Sequence, residues 1–294
     1  MKKFSLKVIR PLLRIAIRED LGKGDVTSRF AISKHLQARG IFLSKDRGIL
    51  AGLPIARAIF LELDRRVRFE SILADGSKIS PGQVLARVQG PARSILAAER
   101  LSLNFLQRLS GIASLTRAYV EAVRGTDARI FDTRKTTPLW RSAEKYAVLI
   151  GGGFNHRLAL ESAVLLKDNH LRLVSPPGDS QPLIRLIKKI RARIPEGMTI
   201  EVEVEDLRTL RAVLSSPLDI IMLDNMTPSQ MRRAVSMVHE ARGREVEVEA
   251  SGNVTLRNIR RIARTGVDRI AVGAITHSVQ ALDISLEVEP ASKS

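Results

Sequence analysis

The sequence predicts an α/β protein with two parts, an N-terminal α+β unit and a C-terminal α/β barrel of about seven parallel strands. Between residues 36 and 90, short segments alternate apolar and polar side chains, which is typical of antiparallel strands. Beyond Gly111, strand patterns and helix patterns take turns. Strands joined by crossover helices form a parallel sheet, and about seven such units close or nearly close a barrel. An open doubly wound sheet is the alternative, but no Gly-x-Gly-x-x-Gly motif follows a predicted strand.

The N-terminal unit is predicted to begin with a helix from Lys7 to Asp20, because apolar residues recur there at helical spacing. Gly22 and Gly24 supply the turn that ends this helix. The strands predicted next are Gln37–Ser44, Val67–Ile72 and Gln83–Gln89. A long helix is predicted from Ala92 to Ser110, with Gly111 as its stop.

The barrel is predicted from short apolar runs separated by amphipathic segments. The predicted strands are Arg129–Asp132, Tyr146–Ile150, Ala163–Lys167, Ile200–Val204, Ile220–Asp224, Glu245–Ala250 and Arg269–Val272. The predicted helices between the later strands are Leu183–Arg193, Asp206–Leu214, Pro228–Arg242 and Leu256–Arg264.

Composition limits the function classes. The chain has 48 Lys and Arg against 31 Asp and Glu, but residues 201–294 carry 12 basic and 14 acidic side chains. No basic tract exceeds two residues, and one Trp and two Tyr offer little for base stacking, which argues against a nucleic-acid-binding protein. The charge suits anionic small molecules. With no cysteine, disulfides and thiolate chemistry are excluded. No apolar run is long enough to span a membrane and no segment resembles a signal peptide, so we expect a cytoplasmic protein.

Basic side chains follow the first three predicted strands of the barrel, at the ends where barrel enzymes have their active sites. They are Arg134, Lys135, His156, Arg157 and Lys167, and Thr133 lies beside the first pair. Together they predict a pocket for a multiply anionic ligand, because guanidinium groups match carboxylate and phosphate geometry. The glycines at 151–153 are expected to let the backbone approach closely.

Carboxylates and small residues follow the later strands. Glu203 and Asp224 each lie in an otherwise apolar run, and a carboxylate facing inward there needs a partner. Both are candidates to hold Mg²⁺, directly or through water, or to stabilise a developing cation. Barrels often bind phosphate after their last two strands. The candidates at those positions are Ser251, Gly252, Asn253, Val272, Gly273 and Ala274.

At these residues the sequence resembles the quinolinate phosphoribosyltransferase family, over nearly the whole chain from about 10 to 285. The N-terminal motifs are Glu19-Asp20-Leu21-Gly22, Gly24-Asp25-Val26-Thr27-Ser28 and Glu99-Arg100-Leu101-Ser102-Leu103-Asn104-Phe105. The barrel motifs are Asp132-Thr133-Arg134-Lys135-Thr136-Thr137-Pro138, Gly151-Gly152-Gly153, Asn155-His156-Arg157, Lys167-Asp168-Asn169-His170, Glu201-Val202-Glu203-Val204, Leu223-Asp224-Asn225 and Ala271-Val272-Gly273-Ala274.

The resemblance implies an N-terminal α/β sandwich domain, residues 1–111 joined by 279–294, and a barrel domain, residues 112–278. It implies transfer of phosphoribosyl from phosphoribosyl pyrophosphate to quinolinate with Mg²⁺, giving nicotinate mononucleotide, pyrophosphate and CO₂ without an organic cofactor.

The resemblance also implies residue roles. Arg134, His156, Arg157 and Lys167 would surround the quinolinate carboxylates, and Lys135 would lie near the phosphates. Glu203 and Asp224 would face the ribose and metal, with the 251–253 and 273–274 segments around the 5′-phosphate. Arg100 would reach into the site of a neighbouring copy, which predicts a homodimer or larger assembly.

One segment departs from the family pattern. The family usually has Thr-Thr-Pro-Gly-Leu-Arg where this chain has Thr-Thr-Pro followed by Leu139, Trp140 and Arg141. Losing the glycine removes easy access to positive φ beside the Arg134-Lys135 loop. A related phosphoribosyltransferase with another acceptor and a catalytically silent phosphometabolite-binding barrel are the alternative functions. The basic set favours quinolinate over the first, and Glu203 and Asp224 argue against the second.

Overall fold

The computed structural model describes residues 6–174 and 181–291. Its helices are α1 (Leu6–Leu21), α2 (Val26–Ala31), α3 (Leu53–Leu63), α4 (Ala92–Ala122), α5 (Arg141–Gly151), α6 (Asp168–Val174), α7 (Gln181–Arg191), α8 (Leu207–Val213), α9 (Pro228–Arg242), α10 (Ile259–Ala263) and α11 (Ala274–His277). Its strands are β1 (Gln37–Ser44), β2 (Gly48–Ile49), β3 (Arg68–Ser71), β4 (Lys78–Ile79), β5 (Val84–Pro91), β6 (Arg129–Phe131), β7 (Val164–Leu166), β8 (Ile200–Val204), β9 (Ile220–Asp224), β10 (Glu247–Ser251), β11 (Arg269–Ala271) and β12 (Ile284–Pro290). None of the described helices combines the length and apolarity that crossing a bilayer requires, and the cytoplasmic location stays a prediction.

The chain divides into two compact units. The first contains the chain up to Arg117, the segment 136–152 and the chain from Ile275 onward, and the second contains 118–135 and 153–274. The segment 136–152 therefore packs with the first unit, whereas the division expected from the sequence assigns it to the barrel. The predicted domain limits at 111 and 278 stay a prediction.

The first unit is built on a four-stranded antiparallel sheet in the order β12-β1-β5-β3. The last strand of the chain thus pairs with the first, with Phe42 opposite Leu286. Phe42, Phe60 and Phe69 pack against one another with ring centroids 5.7–6.0 Å apart, and this aromatic cluster joins the sheet to α3. The α+β character predicted for the N-terminal region is confirmed.

The second unit is built on a six-stranded parallel sheet in the order β6-β11-β10-β9-β8-β7. On the free side of β6, Phe154 forms a parallel bridge with Phe131. Around the sheet the strands therefore lie in the same order as in the chain. The Phe154 segment comes after β6, then β7, β8, β9, β10 and β11, and β11 pairs with β6. This cyclic order is that of a barrel and differs from a doubly wound sheet. Among the described residues no strand pairing joins Phe154 to β7, so hydrogen bonds do not close the barrel.

The predicted strand Tyr146–Ile150 is wrong, because these residues belong to helix α5. A short apolar run does not distinguish a strand from a buried helical turn. Gly152, with φ of 92°, ends the helix, and its N–H donates to the carbonyls of Val148 and Leu149. A side chain on Gly151 would lie 2.6 Å from the Ala113 carbonyl oxygen, so this glycine permits helix packing.

The predicted stop at Gly111 is also wrong, since α4 continues to Ala122. A Cβ at Gly111 would lie 2.2 Å from the carbonyl oxygen of Gln280. The glycine is therefore needed for the close approach of a second chain segment, and its conformational freedom is not used to end the helix.

Leu139, which stands where the family usually has glycine, has a left-handed conformation with φ of 67°. This conformation costs a leucine roughly 1–2 kcal/mol. The next residue, Trp140, stacks on Phe105 with ring centroids 4.0 Å apart and planes within 5°. The stack therefore gives the Trp140 ring a packing partner, while the Leu139 side chain is exposed.

Candidate active site

The parallel strands of the second unit bring the predicted site residues to the carboxyl end of one sheet. Thr133, Arg134 and Lys135 follow β6, His156 and Arg157 follow the Phe154 bridge, Lys167 follows β7, Glu203 lies in β8, Asp224 ends β9, Ser251 ends β10 with Gly252 and Asn253 after it, and Val272, Gly273 and Ala274 follow β11. Arg100 belongs to α4 in the first unit, where it is exposed.

A salt bridge joins the basic and acidic candidates. The Nζ atom of Lys167 lies 3.2 Å from Oε2 of Glu203. The Glu203 side chain is 8% exposed and the Lys167 side chain 46% exposed, so a partly exposed lysine pairs with a buried carboxylate. Pairing of this kind is what permits an ionised glutamate to remain inside a strand.

Two arginines lie close enough to affect each other electrostatically. Burial lowers the pKa of Arg157, and the positive charge of Arg134 lowers it further, while Glu201 acts in the opposite direction. The Arg157 guanidinium also donates from Nη1 to the Ala163 carbonyl at 3.0 Å. Two neighbouring guanidinium groups match the geometry of a ligand with more than one negative group.

Asn225 ties Asp224 to the loop after β10. Its Nδ2 donates to Oδ2 of Asp224 at 2.6 Å, and its Oδ1 accepts from Nδ2 of Asn253 at 2.9 Å. Asn225 and Asn253 have positive φ, and a Cβ on Gly252 would lie 2.2 Å from Asn225 Oδ1. In the sheet, Asp224 is level with Ser251. The carboxylate and the predicted phosphate loop therefore form one connected structure.

Inside the sheet the structure contains a charged network that the sequence analysis did not predict. Nε2 of His156 lies 3.0 Å from Oε2 of Glu201 and 3.5 Å from Oε1 of Glu249. Arg269 pairs with Glu249 at 2.6 Å and with Glu247 at 3.1 Å, and Glu247 pairs in turn with Arg129. The sequence contained one indication of this network, the strict alternation in Glu247-Val248-Glu249, which places two carboxylates on one face of a buried strand.

The network changes the pKa values of its members. Burial raises the pKa of Glu201, and the charge of Glu249 adds to this. Burial also raises the pKa of Glu249, but the His156 and Arg269 contacts outweigh it and leave the pKa lowered. For His156, burial lowers the pKa, and hydrogen bonds to the two glutamates raise it overall to about 9. Nδ1 of His156 accepts the Arg157 backbone N–H at 2.8 Å, so Nε2 is the nitrogen that faces the glutamates.

Within the described residues, two groups at or near the strand ends are candidates for metal ligands. His156, Glu201 and Glu249 bring one ligand atom each to within 4.8 Å of one another. Arg269 already pairs with Glu249, and Arg157 is close to Glu201, so cations already balance this buried group. Glu203 and Asp224 offer carboxylate oxygens nearer the carboxyl ends of β8 and β9, and Mg²⁺ prefers such ligands. The residues at this second position fit Mg²⁺.

Comparisons with known proteins agree along the whole chain. The model of the quinolinate phosphoribosyl transferase C-terminal domain matches residues 112–287, and that of the N-terminal domain matches 25–110. The chain is 42% identical to quinolinate phosphoribosyltransferase [decarboxylating] 1 of Nicotiana glauca, covering 96% of this chain and 82% of the relative. It is 40% identical to nicotinate-nucleotide pyrophosphorylase [carboxylating] of Mycobacterium leprae, covering 95% and 96%. The crystal structure of nicotinate-nucleotide pyrophosphorylase from Ehrlichia chaffeensis is similar, with a TM-score of 0.88, 35% identity and coverage of 98% and 100%.

Proposed function

Because the chain belongs to the quinolinate phosphoribosyltransferase family, we propose that it transfers phosphoribosyl from phosphoribosyl pyrophosphate to quinolinate with decarboxylation. The products are nicotinate mononucleotide, pyrophosphate and CO₂, a step of NAD biosynthesis catalysed by a pentosyltransferase. The observation that carries the proposal is that a cluster of cations, Arg134, Arg157 and Lys167, adjoins the Glu203 and Asp224 carboxylates at the same strand ends.

The cationic part of the site binds the acceptor. Arg134, Arg157 and Lys167 line the pocket for the two quinolinate carboxylates, with His156 directly before Arg157 in the chain, and Lys135 with Thr133 lies toward the phosphates. The lowering of the Arg157 pKa by burial and by the charge of Arg134 supports this assignment, because it shows that two guanidinium groups lie close together, as a dianionic acceptor requires. Cations here also allow two anionic substrates to come together.

The acidic part of the site acts on the ribose. Departure of pyrophosphate leaves positive charge on C1′ and the ring oxygen, and the Glu203 and Asp224 carboxylates stabilise that charge. The 5′-phosphate binds at Ser251, Gly252 and Asn253 and at Val272, Gly273 and Ala274. The tie from Asp224 through Asn225 to Asn253 supports a single donor pocket, since it fixes the carboxylate relative to the phosphate loop.

Glu203 and Asp224 would also hold Mg²⁺, directly or through water. When bound, Mg²⁺ supplies positive charge that neutralises the pyrophosphate leaving group. Lys167 pairs with Glu203 through Nζ and Oε2 and so helps to orient this carboxylate.

The acceptor chemistry needs no organic cofactor. The pyridine nitrogen of quinolinate attacks C1′ as the bond to pyrophosphate breaks, which makes the ring a pyridinium. The bond from C2 to its carboxylate then breaks, CO₂ leaves, and the electron pair stays at C2 beside the positive nitrogen until C2 takes a proton. The side chains hold the ring and its second carboxylate in place during these steps.

A product assay tests the proposed function. Purified protein is incubated with quinolinate, phosphoribosyl pyrophosphate and Mg²⁺, and CO₂ and nicotinate mononucleotide are quantified. A parallel reaction contains nicotinate in place of quinolinate. We expect equimolar CO₂ and mononucleotide from quinolinate alone. Product from nicotinate, or product without CO₂, would contradict the decarboxylating reaction and indicate a related transferase with another acceptor.

Arg157→Ala is expected to raise KM for quinolinate by about 10–100-fold, because it removes charge-assisted hydrogen bonds to a carboxylate. KM for phosphoribosyl pyrophosphate is expected to change less than threefold. Arg157→Lys is the matched control. It keeps the positive charge but cannot form a bidentate contact with a carboxylate, so its KM for quinolinate should be intermediate. Steady-state kinetics measure both constants. An unchanged KM for quinolinate in the alanine variant would remove Arg157 from the acceptor pocket.

The active form is proposed to be a homodimer or larger assembly in which Arg100 of one copy completes the site of another. Its exposed position on α4, away from the other candidates in sequence, fits a residue that acts on a second copy. Arg100→Ala and Asp224→Ala are each expected to be nearly inactive alone. After mixing with subunit exchange, activity should return, because mixed dimers contain one intact site. Measured activity that stays at the single-variant level would argue against sharing of Arg100.

A further inference from the structure

His156 is held from several sides by the protein itself. Its Nε2 faces Glu201 at 3.0 Å and Glu249 at 3.5 Å, and its Nδ1 accepts the backbone N–H of Arg157 at 2.8 Å. Its own backbone N–H donates to Oδ1 of Asp132 at 2.8 Å. With the side chain 8% exposed and both ring nitrogens in protein contacts, the imidazole is suited to supporting the segment that carries Arg157.

Of the two glutamates that face His156, Glu201 and Glu249, the second is held more firmly. Its side chain is fully buried, and Oε2 accepts from Nε of Arg269 at 2.6 Å. The Arg269 guanidinium lies 3.9 Å from the centre of the Phe131 ring, which fixes it from the other side. Buried ion pairs of this kind add little net stability, and this one holds the Glu249 carboxylate in a defined position. Glu249 thus connects the rigid interior of the sheet to the ring of His156.

We propose that Glu249 is a positioning residue for the acceptor side of the site: it holds the His156 imidazole, which holds the backbone of Arg157. The inference rests on the proposed function, because it specifies how the quinolinate-binding arginine is oriented. Arg157 follows His156 directly in the chain, and its guanidinium donates from Nη1 to the Ala163 carbonyl. A change in the ring position therefore moves the arginine relative to Arg134. Misplacement by about 1 Å can cost up to about 100-fold in rate.

Glu249→Gln tests this role, and Glu247→Gln is the matched control. Glu247 lies two residues earlier on the same face of β10 and also pairs with Arg269, but it makes no described contact with His156. In Glu249→Gln we expect KM for quinolinate to rise about tenfold, with KM for phosphoribosyl pyrophosphate within twofold of wild type. In Glu247→Gln both constants should stay within twofold. Thermal denaturation of all three proteins gives their stabilities.

A purely structural role makes a different prediction. Both variants would then lose stability and kcat together, through a smaller folded fraction, and neither KM would change; that result overturns the proposal. If Glu249→Gln does not fold, Glu249→Asp keeps the charge for Arg269 and withdraws the carboxylate from His156. It should show the same rise in KM for quinolinate, and an unchanged KM overturns the proposal equally.

Failure of the proposed function is distinguishable from failure of this inference. A wild-type protein that makes no nicotinate mononucleotide contradicts the proposed function. Calorimetric titration of wild type and Glu249→Gln with quinolinate then decides the inference by itself. A Kd about tenfold weaker in the variant supports the positioning role. Equal Kd values, or no binding by the wild-type protein, overturn it.

Discussion

Asp224→Ala is expected to lower kcat by about 10²–10³-fold, the usual effect of removing one group that stabilises charge in a transition state. Asp224 ends β9 and is held by Asn225 at 2.6 Å, so the carboxylate is oriented before substrate arrives. Positive charge on the ribose develops only as pyrophosphate leaves. The loss should therefore appear mainly in kcat, and KM for quinolinate should stay within about threefold. Steady-state kinetics at saturating Mg²⁺ measure both constants.

Glu205→Ala is the control for this prediction. Glu205 follows β8, the strand beside β9, and is exposed, so its removal changes the negative charge near the strand ends without touching Asp224. We expect its kcat within about threefold of wild type. Equal losses in both variants would mean that the general negative potential of the strand ends matters and that Asp224 has no particular role.

Sequence patterns predicted best where a segment has a long apolar run or a long amphipathic repeat. Ile220–Asp224 and Pro228–Arg242 were predicted with the observed limits, because a continuous apolar run and a long amphipathic repeat each have one structural solution. Tyr146–Ile150 failed for the opposite reason. Its apolar run is short, and the Tyr146 hydroxyl donates to Asp75 at 2.6 Å, a tertiary contact that sequence spacing does not reveal.

The sequence supplied the candidate site residues but not the contacts between them. Position at a strand end made Lys167 and Glu203 candidates, and the structure adds that they pair. The contact of His156 with Glu249 joins two strand regions that are not neighbours in the sheet order. Only the curvature of the sheet brings such residues together, and alternation within one strand indicates a face and not a partner.

Gly252→Ala is expected to lower the free energy of unfolding by about 2–4 kcal/mol and to raise KM for phosphoribosyl pyrophosphate by at least about tenfold. Gly252 has φ of 87°, and a Cβ there would lie 2.2 Å from Oδ1 and 2.9 Å from the backbone nitrogen of Asn225. The Asn225 side chain must move, which breaks its hydrogen bonds to Asp224 and Asn253. Urea denaturation and steady-state kinetics measure the two effects.

Gly197→Ala separates backbone strain from the steric clash. Gly197 also has positive φ, 77°, but no atom lies within 4 Å of a Cβ placed on it. Its substitution should cost about 1 kcal/mol of stability and leave KM unchanged, since only the backbone conformation is unfavourable. The difference between the two variants then measures the contact with Asn225. If Gly252→Ala is as stable as Gly197→Ala and keeps a normal KM, Asn225 does not connect Asp224 to the phosphate loop in a way that binding requires.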